Sequence, residues 1–135
     1  MYLCAMGRLT MVTEGIRVSV RSKFVPEESS ARHMHYVFAY EIEISNESAV
    51  TVQLLKRTWN IIDALGQKRH VHGEGVVGHQ PVLKPGETFR YRSGCHFHTP
   101  VGRMDGLYHM IRTEDESLFD VYIPAFSMVL PALDN

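Results

Sequence analysis

The feature that most constrains this chain is a two-residue alternation of apolar and polar side chains. It is clearest from Tyr36 to Ile44, where every even-numbered residue is apolar or aromatic and glutamates stand at 41 and 43. The segment from Gly15 to Phe24 repeats the pattern. Residues two apart on a β-strand share a face, so the alternation predicts strands with one buried and one solvated face.

Strand signals cover most of the remaining chain. They lie in Val50 to Ile62, Gln67 to His72, Phe89 to Ser93, Gly106 to Arg112, Leu118 to Ile123 and a short closing strand in Phe126 to Leu130. In the first of these the apolar positions change parity at Leu54-Leu55, which predicts a β-bulge. No long window has a helical period. About seven short strands separated by turns are typical of a sandwich or barrel.

One turn favours the sandwich. Leu83-x-Pro85-Gly86-x-x-Phe89 resembles the L-x-P-G-x-x-Y corner turn of fibronectin type III domains, with Phe89 in place of the tyrosine. We therefore predict an all-β fold, an immunoglobulin- or fibronectin type III-like β-sandwich of about seven or more antiparallel strands. The prediction places one domain over residues 12–135 and a flexible extension over residues 1–11.

Charge and cysteine content limit the class of protein. The formal net charge is −1 and the basic residues are scattered, so neither nucleic acid nor an anionic membrane surface is an expected partner. Cys4 and Cys95 are too few for a disulfide framework and suit a reducing compartment. The first dozen residues lack a continuous apolar stretch, with Met1, Met6 and Met11 as alternative starts. We expect a cytoplasmic protein.

A glycine-rich segment is the predicted working surface. Gly73-x-Gly75-x-x-Gly78 matches the dinucleotide fingerprint, but Pro85 and Gly86 would break the helix that this motif requires. The glycines either permit unusual backbone angles or present backbone N–H groups to a partner or a small anion. The candidate binding loop comprises Gly73, Glu74, Gly75, Gly78, His79, Gln80 and Pro81.

The histidines raise the question of a metal site. The chain has 8 histidines, among them three His-x-His pairs that strand geometry would place on one face each. The candidate ligands are His70, His72, His96 and His98; the alternative is that these are solvated strand and loop side chains. Adjacent residues on a strand point to opposite faces, which argues against a Cys95–His96 catalytic pair. No enzyme motif is present, and no cofactor is expected.

The second half of the chain resembles the bacterial ApaG family. The resemblance lies in Gly73-Glu74-Gly75-Val76-Val77-Gly78, in Gln80-Pro81-Val82-Leu83-Lys84-Pro85-Gly86-Glu87, in Thr99-Pro100-Val101-Gly102-Arg103-Met104-Asp105-Gly106 and in Phe119 to Phe126. In the first half it lies in Tyr36 to Tyr40, Val52 to Arg57 and Trp59. It implies a fibronectin type III-like sandwich, a role in protein interaction, and a genetic link to cobalt resistance and magnesium efflux. The histidine pairs depart from the family pattern.

The leading hypothesis is a non-catalytic binding module for an unknown protein partner. Its surface would be the loop from Gly73 to Pro81, with Arg90, Arg92 and Arg103 as a polar rim. Gly75→Arg would then weaken partner capture and leave the thermal midpoint unchanged. The alternatives are a divalent-cation (cobalt or magnesium) homeostasis protein and a small-anion or phosphate binder, and a weak homodimer is left open.

Overall fold

The computed structural model describes residues 8–131, which form nine strands and two single-turn 3-10 helices. The strands are β1 (Leu9–Thr13), β2 (Ile16–Phe24), β3 (Tyr36–Asn46), β4 (Val52–Asp63), β5 (Lys68–Glu74), β6 (Val82–Leu83), β7 (Thr88–Phe97), β8 (Val101–Arg112) and β9 (Leu118–Val129). The 3-10 helices, Pro26–Glu28 and Ala31–His33, occupy the polar connection between β2 and β3. Among the described residues, no helix has the length and apolarity needed to cross a membrane.

The strands form two antiparallel sheets that pack face to face. The four-stranded sheet has the order β1-β2-β3-β7, and the other has the order β5-β4-β8-β9 with β6 beside the start of β4. On one side of the sandwich β1 and β2 pack against β9. On the other side β7 and β5 are the edge strands of their sheets. The predicted all-β, fibronectin type III-like sandwich is confirmed.

The predicted alternation builds the core. Phe38, Ile42 and Ile44 are fully buried, whereas the intervening glutamates of β3 face outward and pair with arginines. The two sheets meet through an aromatic group in which the rings of Tyr40, Trp59 and Phe126 lie 5.6 to 6.1 Å apart. Buried aromatic rings at such separations add directional packing to the burial of apolar area.

The predicted bulge and corner turn are both present. The register of β4 against β8 shifts between Leu54 and Lys56. Gly86 has a φ of +89° and the N–H of Glu87 bonds to the carbonyl of Lys84, so Pro85-Gly86 forms the centre of a turn. Phe89 packs against the core without a hydroxyl to close the corner.

Two predicted boundaries differ from the structure. Strand β1 begins at Leu9 and pairs with β2, so residues 9–11 belong to the sheet and not to an extension. The remainder of that prediction, with Met1, Cys4 and Met6, lies outside the described residues. Phe126 to Leu130 is not a separate closing strand, because β9 runs on through Pro124. A register shift opposite Asp105 provides a bulge there, where proline's missing N–H is tolerated.

Candidate functional site: the open-edge cleft

A cleft of about 360 Å³ lies between the sheets at the side where β5 and β7 are the edges. We call it the open-edge cleft. Its walls come from β3, β4, β5, β7 and β8 and from the glycine-rich segment. Its lining includes Arg57, Trp59, Arg69, Val71, Val77, Tyr91 and Cys95. No aspartate or glutamate lines it within the described part of the chain.

Arg57 enters the cleft from the core-facing side of β4. Its neighbours at the same parity, Trp59 and Ile61, are buried, so the arginine stem follows the core. Its Nη1 atom donates to the carbonyl oxygens of Glu74 at 3.0 Å and Gly75 at 2.8 Å. Within residues 8–131 Arg57 has no carboxylate partner, although a guanidinium group carries five N–H donors.

Arg69 enters the cleft from β5 and reaches across to β7. Its Nη2 atom donates to the carbonyl of His96 at 2.7 Å and to the Cys95 sulfur at 3.3 Å. The guanidinium carbon lies 5.6 Å from the ring centre of Phe97, within the range of a cation–π contact. Arg69 therefore links the two open edges, and in the described residues it too has no carboxylate partner.

An apolar floor separates the two arginines. Trp59 of β4 pairs in register with Val71 of β5, and Tyr91 faces them from β7. Burial raises the pKa of Tyr91 well above its usual value, and the hydroxyl of Tyr91 bonds to that of Tyr108. Burial also raises the pKa of Tyr40, and this effect outweighs the positive charge of Arg57, which by itself would lower that pKa. The tyrosines are neutral near pH 7, so the floor carries no charge and the two arginines supply positive charge to the cleft.

Gly73 and Gly75 of the predicted loop are required by close packing and backbone conformation. A Cβ on Gly73 would lie 3.0 Å from Nη1 of Arg57, so its absence makes room for the guanidinium group. Gly75 has a φ of +64°, and a Cβ there would lie 2.4 Å from the carbonyl oxygen of His79. Such a contact cannot form without a shift of the backbone. Gly75→Arg is therefore expected to disrupt the fold locally, at odds with the sequence-based expectation of an unchanged thermal midpoint.

The rest of the loop is a tight hairpin turn. Val76 and His79 exchange backbone hydrogen bonds of 2.8 and 2.9 Å, and both residues between them have positive φ, Val77 at 41° and Gly78 at 83°. Two successive positive φ values are typical of a type I′ turn. The N–H groups of Gly75, Val76 and His79 all donate to backbone carbonyls. These three amides are thus not available to an anion.

The loop is also fastened to the β4 bulge. The side-chain amide of Gln80 donates to the carbonyl of Leu55 at 2.9 Å, and the carbonyl of Pro81 accepts from the N–H of Leu54 at 3.1 Å. None of the seven predicted loop residues lines the cleft. Within this segment only Val76 and Val77 line the cleft, and neither was among the predicted loop residues. Val76 is fully buried, and Val77 is 52% exposed at the tip of the turn.

The predicted arginine rim is not assembled. Arg90 and Arg92 lie on the outer face of the four-stranded sheet, where Arg90 pairs with Glu43 at 2.7 Å and Arg92 with Glu41 at 3.9 Å. Arg103 alternates with buried residues of β8 and faces outward from the other sheet. Strand alternation thus places these three cations outside the cleft, because each has the opposite parity to the core residues beside it.

The histidine pairs do not form one metal site. His70 and His72 lie on the outer face of β5 and bond to Asn60 at 2.8 Å and to Thr58 at 2.9 Å. His96 belongs to the end of β7, where its ring lies 5.1 Å from that of His98. No group of three or more histidine, cysteine, aspartate or glutamate side chains in residues 8–131 is placed to hold a metal ion.

Sequence reasoning missed Arg57 and Arg69 as site residues. The signal for Arg57 was present, because its parity is that of Trp59 and Ile61, and an arginine on the core-facing side of a strand is unusual. Cys95 also lies in the cleft, where burial raises the pKa of its thiol against the nearby charge of Arg69. The thiol is therefore protonated near neutral pH and is not an activated nucleophile.

Comparison with known proteins identifies the family. The model of the ApaG domain (DUF525) matches residues 26–112, which include every residue that lines the open-edge cleft. The chain belongs to the ApaG family. It is 50% identical over 120 residues to Protein ApaG of Beijerinckia indica, covering 89% of this chain and 92% of that one. It is 52% identical over 119 residues to Protein ApaG of Methylobacterium radiotolerans, covering 88% and 91%.

A solved structure has the same fold as this ApaG chain. The crystal structure of an ApaA protein from Bordetella pertussis matches with a TM-score of 0.83 and 43% sequence identity, covering 86% of this chain and 94% of that one. The family resemblance noted in the sequence is thus confirmed by the domain match, the relatives and the fold.

Proposed function

We propose that this ApaG protein is a non-catalytic binding module that recognises a partner protein at its open-edge cleft. The observation that carries the proposal is the cleft itself, a concave site of about 360 Å³ floored by Trp59 and Tyr91. Concave sites with an apolar floor and a few convergent polar groups are the usual places for ligands. Aromatic and arginine side chains are enriched among the residues that dominate protein interfaces.

Two features favour binding over catalysis. The cleft residues include no carboxylate, and burial raises the pKa of both Cys95 and Tyr91, which disfavours their nucleophilic forms. The cation-homeostasis alternative has less support from the geometry, because the predicted histidine ligands lie on different sheets. A cytoplasmic location stays a prediction that rests on the two cysteines and on the lack of a continuous apolar stretch in the first dozen residues.

The test compares two tyrosine substitutions on the same strand. Val71 is 36% exposed at the cleft, so Val71→Tyr adds a ring there. His70 is the next residue and points to the outer face, so His70→Tyr is the matched control. We expect wild type and His70→Tyr to capture the same saturable partner from a cell extract, and Val71→Tyr to lose it.

A partner retained by Val71→Tyr would place binding elsewhere and contradict the proposal. Thermal unfolding of each variant checks that the domain remains folded. Strand β5 is an edge strand, and tyrosine has a high strand propensity, so we expect both variants to fold.

A further inference from the structure

The charges of the open-edge cleft indicate what kind of partner would fit it. Arg57 and Arg69 both line the cleft, no acidic residue does, and neither arginine pairs with a carboxylate in the described chain. Elsewhere in residues 8–131, six arginines pair with a glutamate, namely Arg8, Arg17, Arg21, Arg90, Arg92 and Arg112, whereas Arg32 and Arg103 do not. The cleft is thus a local cationic site on a chain whose formal net charge is −1.

Both guanidinium groups keep donors for a ligand. Arg57 uses only Nη1 for the two loop carbonyls, and Arg69 uses only Nη2 for its contacts with β7. The other terminal nitrogen and the Nε of each side chain have no protein acceptor in the described residues. In Arg57 the free Nε and Nη2 are adjacent and match the two oxygens of a carboxylate. The free Nε and Nη1 of Arg69, in contrast, point to opposite sides and each offer a single charge-assisted hydrogen bond.

Strand register sets the separation of the two arginines along the backbone. Arg69 pairs with Ile61, which lies four residues after Arg57 on β4. Four residues of strand extend about 13 Å at about 3.3 Å per residue. Trp59 and Val71 occupy the middle of this interval, paired with each other. The order along the cleft is therefore cation, apolar floor, cation.

The edge strand beside the cleft suits an extended backbone. In residues 8–131, β7 pairs with β3 along one side and has no strand on the other. An unpaired strand edge can accept an extended peptide through main-chain hydrogen bonds, while pockets beside it select alternate side chains. Side chains at positions i, i+2 and i+4 of such a peptide point the same way, and i to i+4 extends about 13 Å.

We propose that the open-edge cleft binds an extended acidic segment of a partner protein in which two acidic residues four positions apart flank an apolar residue. The inference rests on the proposed function and adds the partner's chemistry. One carboxylate bonds to Arg57, the other bonds to Arg69, and the apolar side chain packs on Trp59 and Val71. The edge of β7, which no other strand covers in residues 8–131, favours a peptide over a free anion.

The test selects peptides from a random seven-residue display library on the immobilised full-length protein. Selections run in parallel on wild type, Arg69→Gln, Arg57→Gln and the blocked variant Val71→Tyr. Arg92→Gln is the charge-matched control, because this side chain is 79% exposed on the outer face. Arg57→Gln removes an anchor of the loop, so its thermal midpoint is measured first, and Arg69→Gln keeps the test valid if Arg57→Gln does not fold.

We expect wild type and Arg92→Gln to enrich the pattern acidic-x-apolar-x-acidic. The peptide most enriched on wild type is then synthesised, and it should bind at least tenfold more weakly to Arg69→Gln than to wild type. Replacing both acidic residues of that peptide by glutamine should have a similar effect, and 0.5 M salt should weaken binding.

The other outcomes separate the two proposals. Enrichment of peptides without acidic residues that still require an open cleft, as judged by loss in Val71→Tyr, would overturn the acidic segment and leave the binding module in place. Equal binding of the selected peptide to wild type and Arg69→Gln would do the same. Failure of wild type to enrich any peptide over Val71→Tyr would overturn the acidic segment, and the binding module would then be decided by the partner capture of wild type, His70→Tyr and Val71→Tyr.

Discussion

Gly75 and Gly78 provide a matched pair for measuring what the glycine-rich turn needs. Both have positive φ, +64° and +83°, so alanine at either position meets the left-handed backbone penalty. That penalty is about 1 to 2 kcal/mol. At Gly78 nothing lies within 4 Å of the added Cβ, so the backbone penalty is the whole expected loss of unfolding free energy for Gly78→Ala.

Gly75→Ala should cost more because of one contact. The added Cβ would lie 2.4 Å from the carbonyl oxygen of His79, which must move by about 1 Å to reach an ordinary contact of 3.4 Å. That oxygen accepts the N–H of Val76 at 2.8 Å, and the Val76 side chain is fully buried. Losing the hydrogen bond and disturbing the core should add about 2 kcal/mol, for a total of about 3 to 4 kcal/mol.

Equilibrium urea unfolding measures this difference. Trp59 is the single tryptophan and is 3% exposed, so its fluorescence reports the opening of the sandwich. We expect the unfolding free energy of Gly75→Ala to lie about 2 kcal/mol below that of Gly78→Ala, with similar slopes. Equal losses in the two variants would refute the steric argument.

Two further predictions concern the hydrogen bonding of the fold and its pH dependence. The fully buried Asn46 donates to the carbonyls of Val50 at 2.8 Å and Leu83 at 2.9 Å. Asn46→Ala should therefore lower the unfolding free energy, measured by urea unfolding, by about 2 to 4 kcal/mol. A loss below about 1 kcal/mol would contradict this prediction. Burial lowers the pKa of His96 from 6.5 in the folded protein, and the nearby His35 and His98 lower it further. The unfolded chain therefore binds more protons than the folded one between the two pKa values. Stability should fall as the pH drops below 6.5 and through the folded-state pKa of His96. Thermal melts from pH 7.5 to 5 should show a smaller fall in midpoint for His96→Gln than for wild type, and identical falls would rule out this contribution.

The alternation of side chains was sufficient to predict the layers of this protein. Tyr40, Ile42 and Ile44 face the core because residues two apart on a strand share a face whatever the partner strand is. The parity change at Leu54-Leu55 likewise predicted the bulge, since only an extra residue can change which side chains face inward. These are local properties of the backbone, and one strand of sequence carries them.

The cleft was not predictable in the same way. Arg57 and Arg69 are 12 positions apart in the chain, and their joint role depends on the register of β4 against β5 and on which strands lie at the edges. The sequence indicated the glycine-rich segment as the binding surface. Its contacts with Arg57, Leu55 and His79 instead fix the backbone that supports the cleft. The motif lies beside the cleft, and none of its three glycines lines it.

The sequence by itself determined the all-β class, the inward and outward faces of most strands, and the bulge, because each follows from side-chain parity over a few residues. Only the tertiary structure decided that β5 and β7 become open edges on the same side of the sandwich and that two arginines line the cleft there, neither with a carboxylate partner in residues 8–131. Strand order and register are set by packing between distant segments, so no single stretch of the chain encodes them.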